Sequence, residues 1–160
     1  MTREIAKLIL TNKKKMVKEE DLIRLYDKST SDFDDTFKEL YEQFNKLGFE
    51  LIKSEFQGNN YYVLTSEGKD DNITPSQYGS LALIAALSKE VNDNIKIEDL
   101  KEIFKDQWNS DIKFLIDNDY LRKIDNLGIV KITPIGKAVL KEILPDLSLD
   151  TLLDIFEIGE

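Results

Sequence analysis

The chain has 160 residues, of which 33% are charged, and its formal net charge is −9. It has no cysteine and no histidine, which excludes disulfides, thiolate nucleophiles, imidazole bases and nearly all zinc sites. The sequence also lacks a Walker-type glycine loop, a dinucleotide fingerprint and a calcium-loop spacing that could organise its other polar groups. We therefore expect a protein that has no catalytic residues and needs no cofactor or metal.

Length and hydropathy suggest two small domains. A chain of 160 residues can form one domain or two units of roughly 70 residues, which is near the lower size limit for independent stability. No segment approaches the roughly 20 uninterrupted apolar residues of a membrane helix. Residues 1–4 lead directly into a helix without a signal region, so we expect a soluble, cytoplasmic protein with no membrane contact.

The first half of the chain predicts three helices followed by a hairpin. The predicted helices cover residues 3–10, 18–27 and 31–47. One apolar stripe runs along the third helix and contains Phe33, Phe37, Leu40, Tyr41, Phe44 and Leu47. Two β-prone runs, 49–56 and 61–65, flank a turn rich in glycine and asparagine. This hairpin is the first predicted wing.

The second half predicts the same order of elements. A strong helix start at Thr74-Pro75-Ser76-Gln77 combines a capping threonine, a proline in the first turn and a glutamine three residues after the cap. The helix that follows is apolar nearly all round, which predicts burial on several sides. The predicted helices cover residues 77–91, 97–105, 108–118 and 134–145, and the second wing covers 120–133.

Each hairpin ends in a segment whose sequence resembles that of the other. These segments are Leu64-Thr65-Ser66-Glu67-Gly68-Lys69 and Ile132-Thr133-Pro134-Ile135-Gly136-Lys137. Helices that lead into a two-stranded wing, repeated at a fixed offset, predict an α+β, mostly α fold of two tandem winged-helix domains. Each domain is expected to have about three helices and one wing. The predicted domains are residues 1–69 and 75–145, joined by a linker at 70–74 and followed by an apolar, acidic helical tail at 146–160.

The third helix of a DNA-binding winged helix enters the major groove, where Arg, Lys, Asn or Gln meet bases and phosphates. In the first predicted domain this helix offers the acids Asp32, Asp34, Asp35, Glu39 and Glu42. In the second it offers Asp111, Asp117 and Asp119 against Lys113 alone. Carboxylates at that density repel phosphate, so sequence-specific DNA binding is not expected.

The basic cluster of the sequence consists of Lys13, Lys14, Lys15 and Lys18. These lysines could contact a phosphate backbone or an acidic partner. A solvated turn is the favoured interpretation, because four lysines in so acidic a protein provide little phosphate affinity at physiological salt.

Candidate contacts with a protein partner are the apolar or aromatic residues Trp108, Tyr120, Leu149, Leu152, Leu153 and Phe156. Trp108 either lies at an interface or covers the core of the second domain, and the core is the favoured alternative. The tail offers more apolar surface than a peripheral helix easily leaves in water. It either folds back on the second domain or docks on a partner, and the sequence leaves both alternatives open.

The order of segments resembles the ScpB family, the tandem winged-helix subunits of the prokaryotic SMC–kleisin condensin, and more broadly the kleisin-interacting tandem winged-helix proteins. The resemblance covers nearly the whole chain. The matching segments are Ile5-Ala6-Lys7-Leu8-Ile9-Leu10, Glu19-Glu20-Asp21-Leu22, Tyr61-Tyr62-Val63-Leu64-Thr65, Ile73-Thr74-Pro75-Ser76-Gln77 and Leu81-Ala82-Leu83-Ile84-Ala85-Ala86-Leu87. Residues 88–94 lack the Gln-Pro and Arg-Gly signature of many bacterial members, which suggests an archaeal or otherwise divergent relative.

The resemblance implies a non-catalytic scaffold in chromosome condensation and segregation. Such a subunit pairs through its first winged-helix domain, as a homodimer or with a relative, and clasps the central segment of an ScpA-like kleisin. The kleisin in turn bridges the SMC heads, so the protein is expected at the nucleoid through that complex.

Two other functions fit the predicted fold. A winged-helix transcription regulator would bind DNA through the lysine turn and the wings, with an affinity that falls as salt rises. A tandem winged-helix subunit of another assembly, such as an ESCRT-II-like complex, would have the same fold, and fold alone does not discriminate between assemblies.

Overall fold

A computed structural model of the protein describes residues 2–12, 16–25, 33–66 and 73–150. The chain divides into two units, Met1–Lys69 and Asp70–Glu160. Each unit has a helix, a short strand, two helical segments and a hairpin in the same order. Each also has a three-stranded antiparallel sheet in which the last strand of the hairpin lies in the middle. The predicted α+β fold of two tandem winged-helix domains is therefore confirmed.

Three helices and three strands form the described part of the first unit. They are α1 (Thr2–Thr11), β1 (Met16–Lys18), α2 (Glu19–Leu25), α3 (Phe33–Lys46), β2 (Phe49–Phe56) and β3 (Asn59–Ser66). β3 pairs with β2 over its whole length and with β1 at Met16–Lys18. Gln57 and Gly58 both have positive φ, at 51° and 78°, as a two-residue hairpin turn that follows the twist of its strands requires.

The core of the first unit lies between its helices and the inner face of its sheet. Its buried residues are Ile5, Ile9, Val17, Leu22, Phe37, Leu40, Phe44, Leu51 and Tyr62. Ile5 and Ile9 are four residues apart and therefore share one face of α1. The ring centroids of Phe37 and Tyr62 lie 4.0 Å apart, so α3 packs directly on the middle strand of the sheet.

Tyr62 also ties the sheet to the start of α2. The side chain is buried, and its hydroxyl donates a 2.8 Å hydrogen bond to the carboxylate of Glu19. The same carboxylate pairs with the Lys53 ammonium group at 3.2 Å. Burial, the hydrogen bond to Glu19 and the negative charges of Glu19 and Asp34 together raise the pKa of Tyr62.

We expect this raised pKa to make the first unit less stable in alkaline solution. A tyrosine whose pKa is raised by folding contributes its stability fully below the unfolded pKa of about 10 and loses it as pH rises toward the folded pKa. The free energy of unfolding, followed by circular dichroism from about pH 9 to about pH 11, should fall more in the native chain than in Tyr62→Phe. Tyr41→Phe, at an exposed tyrosine, should follow the native chain, and an equal fall in all three proteins would contradict the prediction.

The second unit repeats this plan, and a further helix follows its hairpin. Its elements are α4 (Pro75–Glu90), β4 (Ile95–Lys96), α5 (Ile97–Phe104), α6 (Lys113–Asp117), β5 (Leu121–Ile124), β6 (Ile129–Ile132) and α7 (Pro134–Val139). A π-helical turn at Trp108–Ile112 precedes α6, and a 3₁₀ turn at Leu144–Asp146 follows α7.

α4 is the most extensively buried helix of the second unit, as its apolar sequence predicts. Its buried residues are Ser80, Leu81, Ala82, Ile84, Ala85, Ala86 and Ser88. The Thr74 hydroxyl accepts a 3.2 Å hydrogen bond from the Gln77 amide, and the Gln77 side chain accepts one of 2.9 Å from the Thr74 amide. The predicted helix start is thus a reciprocal capping box with Pro75 in the first turn.

The structure corrects the predicted elements in two places. Each predicted wing is a two-stranded hairpin, and β1 and β4 each add a short third strand to its sheet that was not predicted. With three and two residues, these strands are too short to show the apolar alternation by which a strand is recognised. The last helix ends at Val139 and not at Pro145, because in a continuous helix the proline ring would clash with the carbonyl group four residues earlier, at Lys141.

The beginning of the predicted tail packs on the second unit. Leu147 is buried, and the Lys89 ammonium group donates hydrogen bonds to the carbonyl oxygens of Leu144, at 2.6 Å, and Leu147, at 2.5 Å. Leu149 and Asp150 have helical backbone. The remainder of the tail, residues 151–160, lies outside the described residues.

Candidate protein-interaction surfaces

The outer face of α3 is acidic. Its exposed charged residues are Asp34, Asp35, Glu39 and Glu42, together with Lys38 and Lys46. In a DNA-bound winged helix this face lies against phosphates and base edges. Four carboxylates against two ammonium groups make such a contact unfavourable. Asp32, the fifth predicted acid of this face, lies outside the described residues.

The corresponding surface of the second unit is less acidic than its sequence suggests, because the Asp119 carboxylate forms an ion pair within the unit. The Ser76 hydroxyl donates a 2.5 Å hydrogen bond to Asp111. The Arg122 guanidinium group donates hydrogen bonds of 2.9 and 3.1 Å to the two carboxylate oxygens of Asp119. Only Asp117 among the three predicted acids is both exposed and without a described partner. Repulsion of phosphate is therefore centred on the first unit.

Lys18 does not present a free positive charge. Its ammonium group lies 3.4 Å from the Glu20 carboxylate, and Lys18 together with Arg24 lowers the pKa of Glu20. This pairing compensates the charge that a phosphate contact would use. The other predicted members of the basic cluster, Lys13, Lys14 and Lys15, lie outside the described residues, and a phosphate contact there stays a prediction.

Tyr120 was expected at a partner interface, but its side chain is only 1% exposed. The Tyr120 amide donates to the Leu115 carbonyl at 2.8 Å, and the Asp119 amide donates to the Ile116 carbonyl at 3.1 Å. With Asp119 at a φ of 62°, this is a Schellman motif, which folds the residue after the turn back onto the last helical turn. The Tyr120 ring therefore belongs to the core and is not available to a partner.

The remaining predicted partner contacts are only partly described. Trp108 is half-buried, and the Lys101 ammonium group lies 5.3 Å from its ring centroid, within the range of a cation–π interaction. Leu149 is also half-buried. The other three tail residues, Leu152, Leu153 and Phe156, lie outside the described residues and stay predictions.

The first unit exposes apolar side chains where α3 meets β2. Leu47 is 72% exposed and Phe49 is 36% exposed, and Gly48, at a φ of 84°, turns the chain between them. Leu47 was predicted to continue the apolar stripe of α3 into the core. The helix ends at Lys46, so Leu47 lies beyond the last turn that the sheet covers. The sequence signal that could have shown this is the adjacent Gly48, which ends helices in the left-handed conformation.

An open groove of about 540 Å³ lies beside the tip of the second wing. The residues that line it include the apolar Ile97, Leu127 and Ile129, the basic Lys96 and Lys101, and the acidic Glu98. Leu127 is 64% exposed at the turn of the hairpin. No part of this groove was predicted, because its lining residues come from three separate elements.

A basic strip continues from the groove across the outer face of the second sheet. Lys96 of β4 lies opposite Ile129 of β6, and Lys131 of β6 lies opposite Arg122 of β5, whose own charge is paired with Asp119. Ile129 and Lys131 are two residues apart on one strand and so share a face. The groove and the strip thus form a positively charged surface on a protein of negative net charge.

No group of three or more His, Cys, Asp or Glu side chains in the described ranges could hold a metal ion. Nor is any helix there long and apolar enough to cross a bilayer. Burial and the negative charge of Glu142 raise the pKa of Tyr78, which belongs to a different unit from Tyr62.

Comparison with known proteins identifies a fold but not a family. No family model matches the sequence, and no curated protein matches it. A chain of a solved structure described as the Nse1-Nse3-Nse4 complex has a TM-score of 0.57 and 11% sequence identity. The match covers 89% of this protein and 72% of that chain. At this level of identity the likeness establishes a shared fold over both units.

Proposed function

We propose that the protein is a non-catalytic scaffold subunit of an SMC–kleisin complex and that its two winged-helix domains bind the central region of an ScpA-like kleisin. The observation that carries the proposal is the acidic outer face of α3. Duplex DNA is repelled by that face, so a protein ligand fits this winged-helix surface better than a nucleic acid does. The likeness to a chain of the Nse1-Nse3-Nse4 complex supports the proposal, because there the same fold belongs to a multi-protein assembly.

The first unit is proposed to pair with a second copy of the chain. Leu47 and Phe49 are exposed together at the end of α3, and burial of large apolar side chains is the main favourable term in protein association. Aromatic anchors surrounded by aliphatic residues are typical of the centre of an interface. The adjacent acidic face of α3 would lie at the rim, where charges stay in water.

The pairing predicts a specific change in mass. The native chain should have twice its 18.5 kDa in light scattering after size-exclusion chromatography. Leu47→Glu should reduce the mass to that of one chain, because the exposed leucine would be replaced by a charge that is costly to bury. Ile103→Glu, at an exposed apolar residue of the second unit, should remain dimeric. A native protein that is monomeric at all concentrations, or a Leu47→Glu variant that stays dimeric, would reject this interface.

The kleisin assignment is tested by affinity capture of the full chain from its native lysate, treated with nuclease and washed at high salt. Mass spectrometry should identify a kleisin and an SMC protein among the retained proteins. The nuclease and the salt wash remove proteins that are held only through DNA, because phosphate contacts weaken steeply as the salt concentration rises. Capture that yields neither protein would overturn the proposal.

DNA binding is measured separately with the purified protein and a labelled duplex. We expect no binding by fluorescence anisotropy at physiological salt. A winged-helix regulator would instead bind, with an affinity that falls linearly with the logarithm of the salt concentration. Such a result, together with an empty capture experiment, would establish the regulator alternative.

A further inference from the structure

The groove beside the second wing has an apolar floor and a basic edge. Ile97 and Leu127 line it together with the ammonium groups of Lys96 and Lys101, and Glu98 is the carboxylate among the lining residues. Lys131 extends the positive surface along the outer face of the sheet. A ligand that suits this groove has apolar side chains flanked by carboxylates.

The sequence of the chain contains a segment with this chemistry. Residues 151–160 read Thr-Leu-Leu-Asp-Ile-Phe-Glu-Ile-Gly-Glu, with five apolar side chains, three acids and no lysine or arginine. At helical spacing, Leu149, Leu152, Leu153 and Phe156 form one apolar stripe. Asp150, Asp154 and Glu157, at intervals of four and three residues, form an acidic stripe beside it. The segment therefore matches the apolar floor and the basic edge of the groove at the same time.

The start of the segment is held near the groove. Lys89 donates hydrogen bonds to the carbonyl oxygens of Leu144 and Leu147, which fixes this part of the chain at the end of α4. The Asp93 amide donates a 2.8 Å hydrogen bond to the Ser88 carbonyl, so the chain after α4 folds back at the same place. The next residue along, Asn94, lines the groove. Ten residues can span about 33 Å when extended and about 15 Å as a helix, so the segment has ample reach.

We propose that residues 151–160 dock in the groove of their own second unit, with the apolar stripe on Leu127 and Ile97 and the acidic stripe beside Lys96 and Lys101. Tethering favours this occupant over a free peptide, because a short linker gives an effective concentration on the order of millimolar. The sequence leaves two alternatives open for the tail. The proposal is that the tail folds back on its own second unit and does not dock on a partner. It does not depend on the identity of the proposed kleisin.

The absence of cysteine from the native sequence permits a clean cross-linking test in the full chain. The double variant Leu127→Cys with Phe156→Cys should form a disulfide within one chain under mild oxidation, detected by mass spectrometry and by a non-reducing gel. The matched control is Ile103→Cys with Phe156→Cys. Ile103 is 50% exposed on the same unit but lies two positions from Lys101 on α5, which places it on the opposite side of the helix. The control pair should give a several-fold lower yield.

The charge pattern supplies a second, independent readout. Adding Lys96→Glu and Lys101→Glu to the Leu127 pair should lower the disulfide yield several-fold, and adding Asp154→Lys and Glu157→Lys to that variant should restore it. In the native chain, Trp108 fluorescence should change on Asp154→Lys with Glu157→Lys, because Lys101 lies over the only tryptophan.

A disulfide that links two chains would assign the groove to a second copy and overturn the proposal. Equal yields in test and control pairs, or no disulfide at all, would also overturn it.

Discussion

Gly136→Ala is expected to lower the free energy of unfolding of the second unit by about 3 kcal/mol, the upper end of the usual cost of overpacking. A Cβ atom at Gly136 would collide with the carbonyl oxygen of Tyr120 and would lie 2.8 Å from Cγ2 of Ile132. The first obstacle is backbone, and it is held in place by the Thr133 amide, which donates a 3.1 Å hydrogen bond to the same Tyr120 oxygen. Neither neighbour can move without disturbing the start of α7.

Gly79→Ala is the matched control for this prediction. Gly79 also lies inside a helix, but no atom lies within 4 Å of an added Cβ. Alanine should therefore be neutral or stabilise α4 by up to about 1 kcal/mol, the difference in helix propensity. Urea denaturation followed by Trp108 fluorescence reports on the second unit in both variants, because the protein has one tryptophan. Equal effects of the two substitutions would show that helix propensity and not close packing governs Gly136.

Thr133→Val is expected to cost the second unit about 2–4 kcal/mol, because it removes the partner of the buried Gly136 amide and of the partly buried Asp119 carbonyl. Thr133 is fully buried. Its hydroxyl accepts a 3.2 Å hydrogen bond from the Gly136 amide and donates one of 2.5 Å to the Asp119 carbonyl. Valine has nearly the same shape, so the loss measures the hydrogen bonds and not a cavity.

Comparison with Thr74→Val shows how much more a buried cap contributes to stability than an exposed cap does. Thr74 caps α4 in the same way, but it is exposed, and water can replace its hydroxyl. The expected cost is about 1 kcal/mol, typical of an N-cap. Both variants can be measured by urea denaturation with Trp108 fluorescence. A cost at Thr133 no larger than the cost at Thr74 would contradict the structural role proposed for the buried hydroxyl.

The similar sequence segments at the ends of the two hairpins show what a repeated sequence can and cannot predict. In the second unit, Thr133 caps α7. Gly136 is the position at which α7 comes closest to Tyr120. In the first unit, Thr65 lies on β3 and contacts the Glu50 carbonyl at 3.4 Å. Residues 67–69, which correspond to 135–137, lie outside the described part of the chain. The repeat correctly predicted two similar domains, because both hairpins end at the same point of the fold.

The candidate surfaces were predicted less completely than the fold. The acids of α3 could be assigned to an outer face because helical periodicity separates them from the apolar stripe. The ion pair of Asp119 with Arg122 reduces the predicted acidity of the second unit, whereas the hydrogen bond from Ser76 holds Asp111 in place without neutralising its charge. The second pair joins residues 35 positions apart, a separation at which no sequence pattern operates.

The sequence alone determined the order of the helices and hairpins, the capping box at Thr74 and the burial of the middle of α4, because turns, caps and periodicity depend on residues within about one helical turn of each other. Only the tertiary structure decided that Tyr120 is core and that a basic groove adjoins the second wing. Burial depends on which element covers a side chain, and a groove depends on which elements meet. Both depend on contacts between segments that are distant in sequence, so the residues that neighbour a position in the sequence do not predict them.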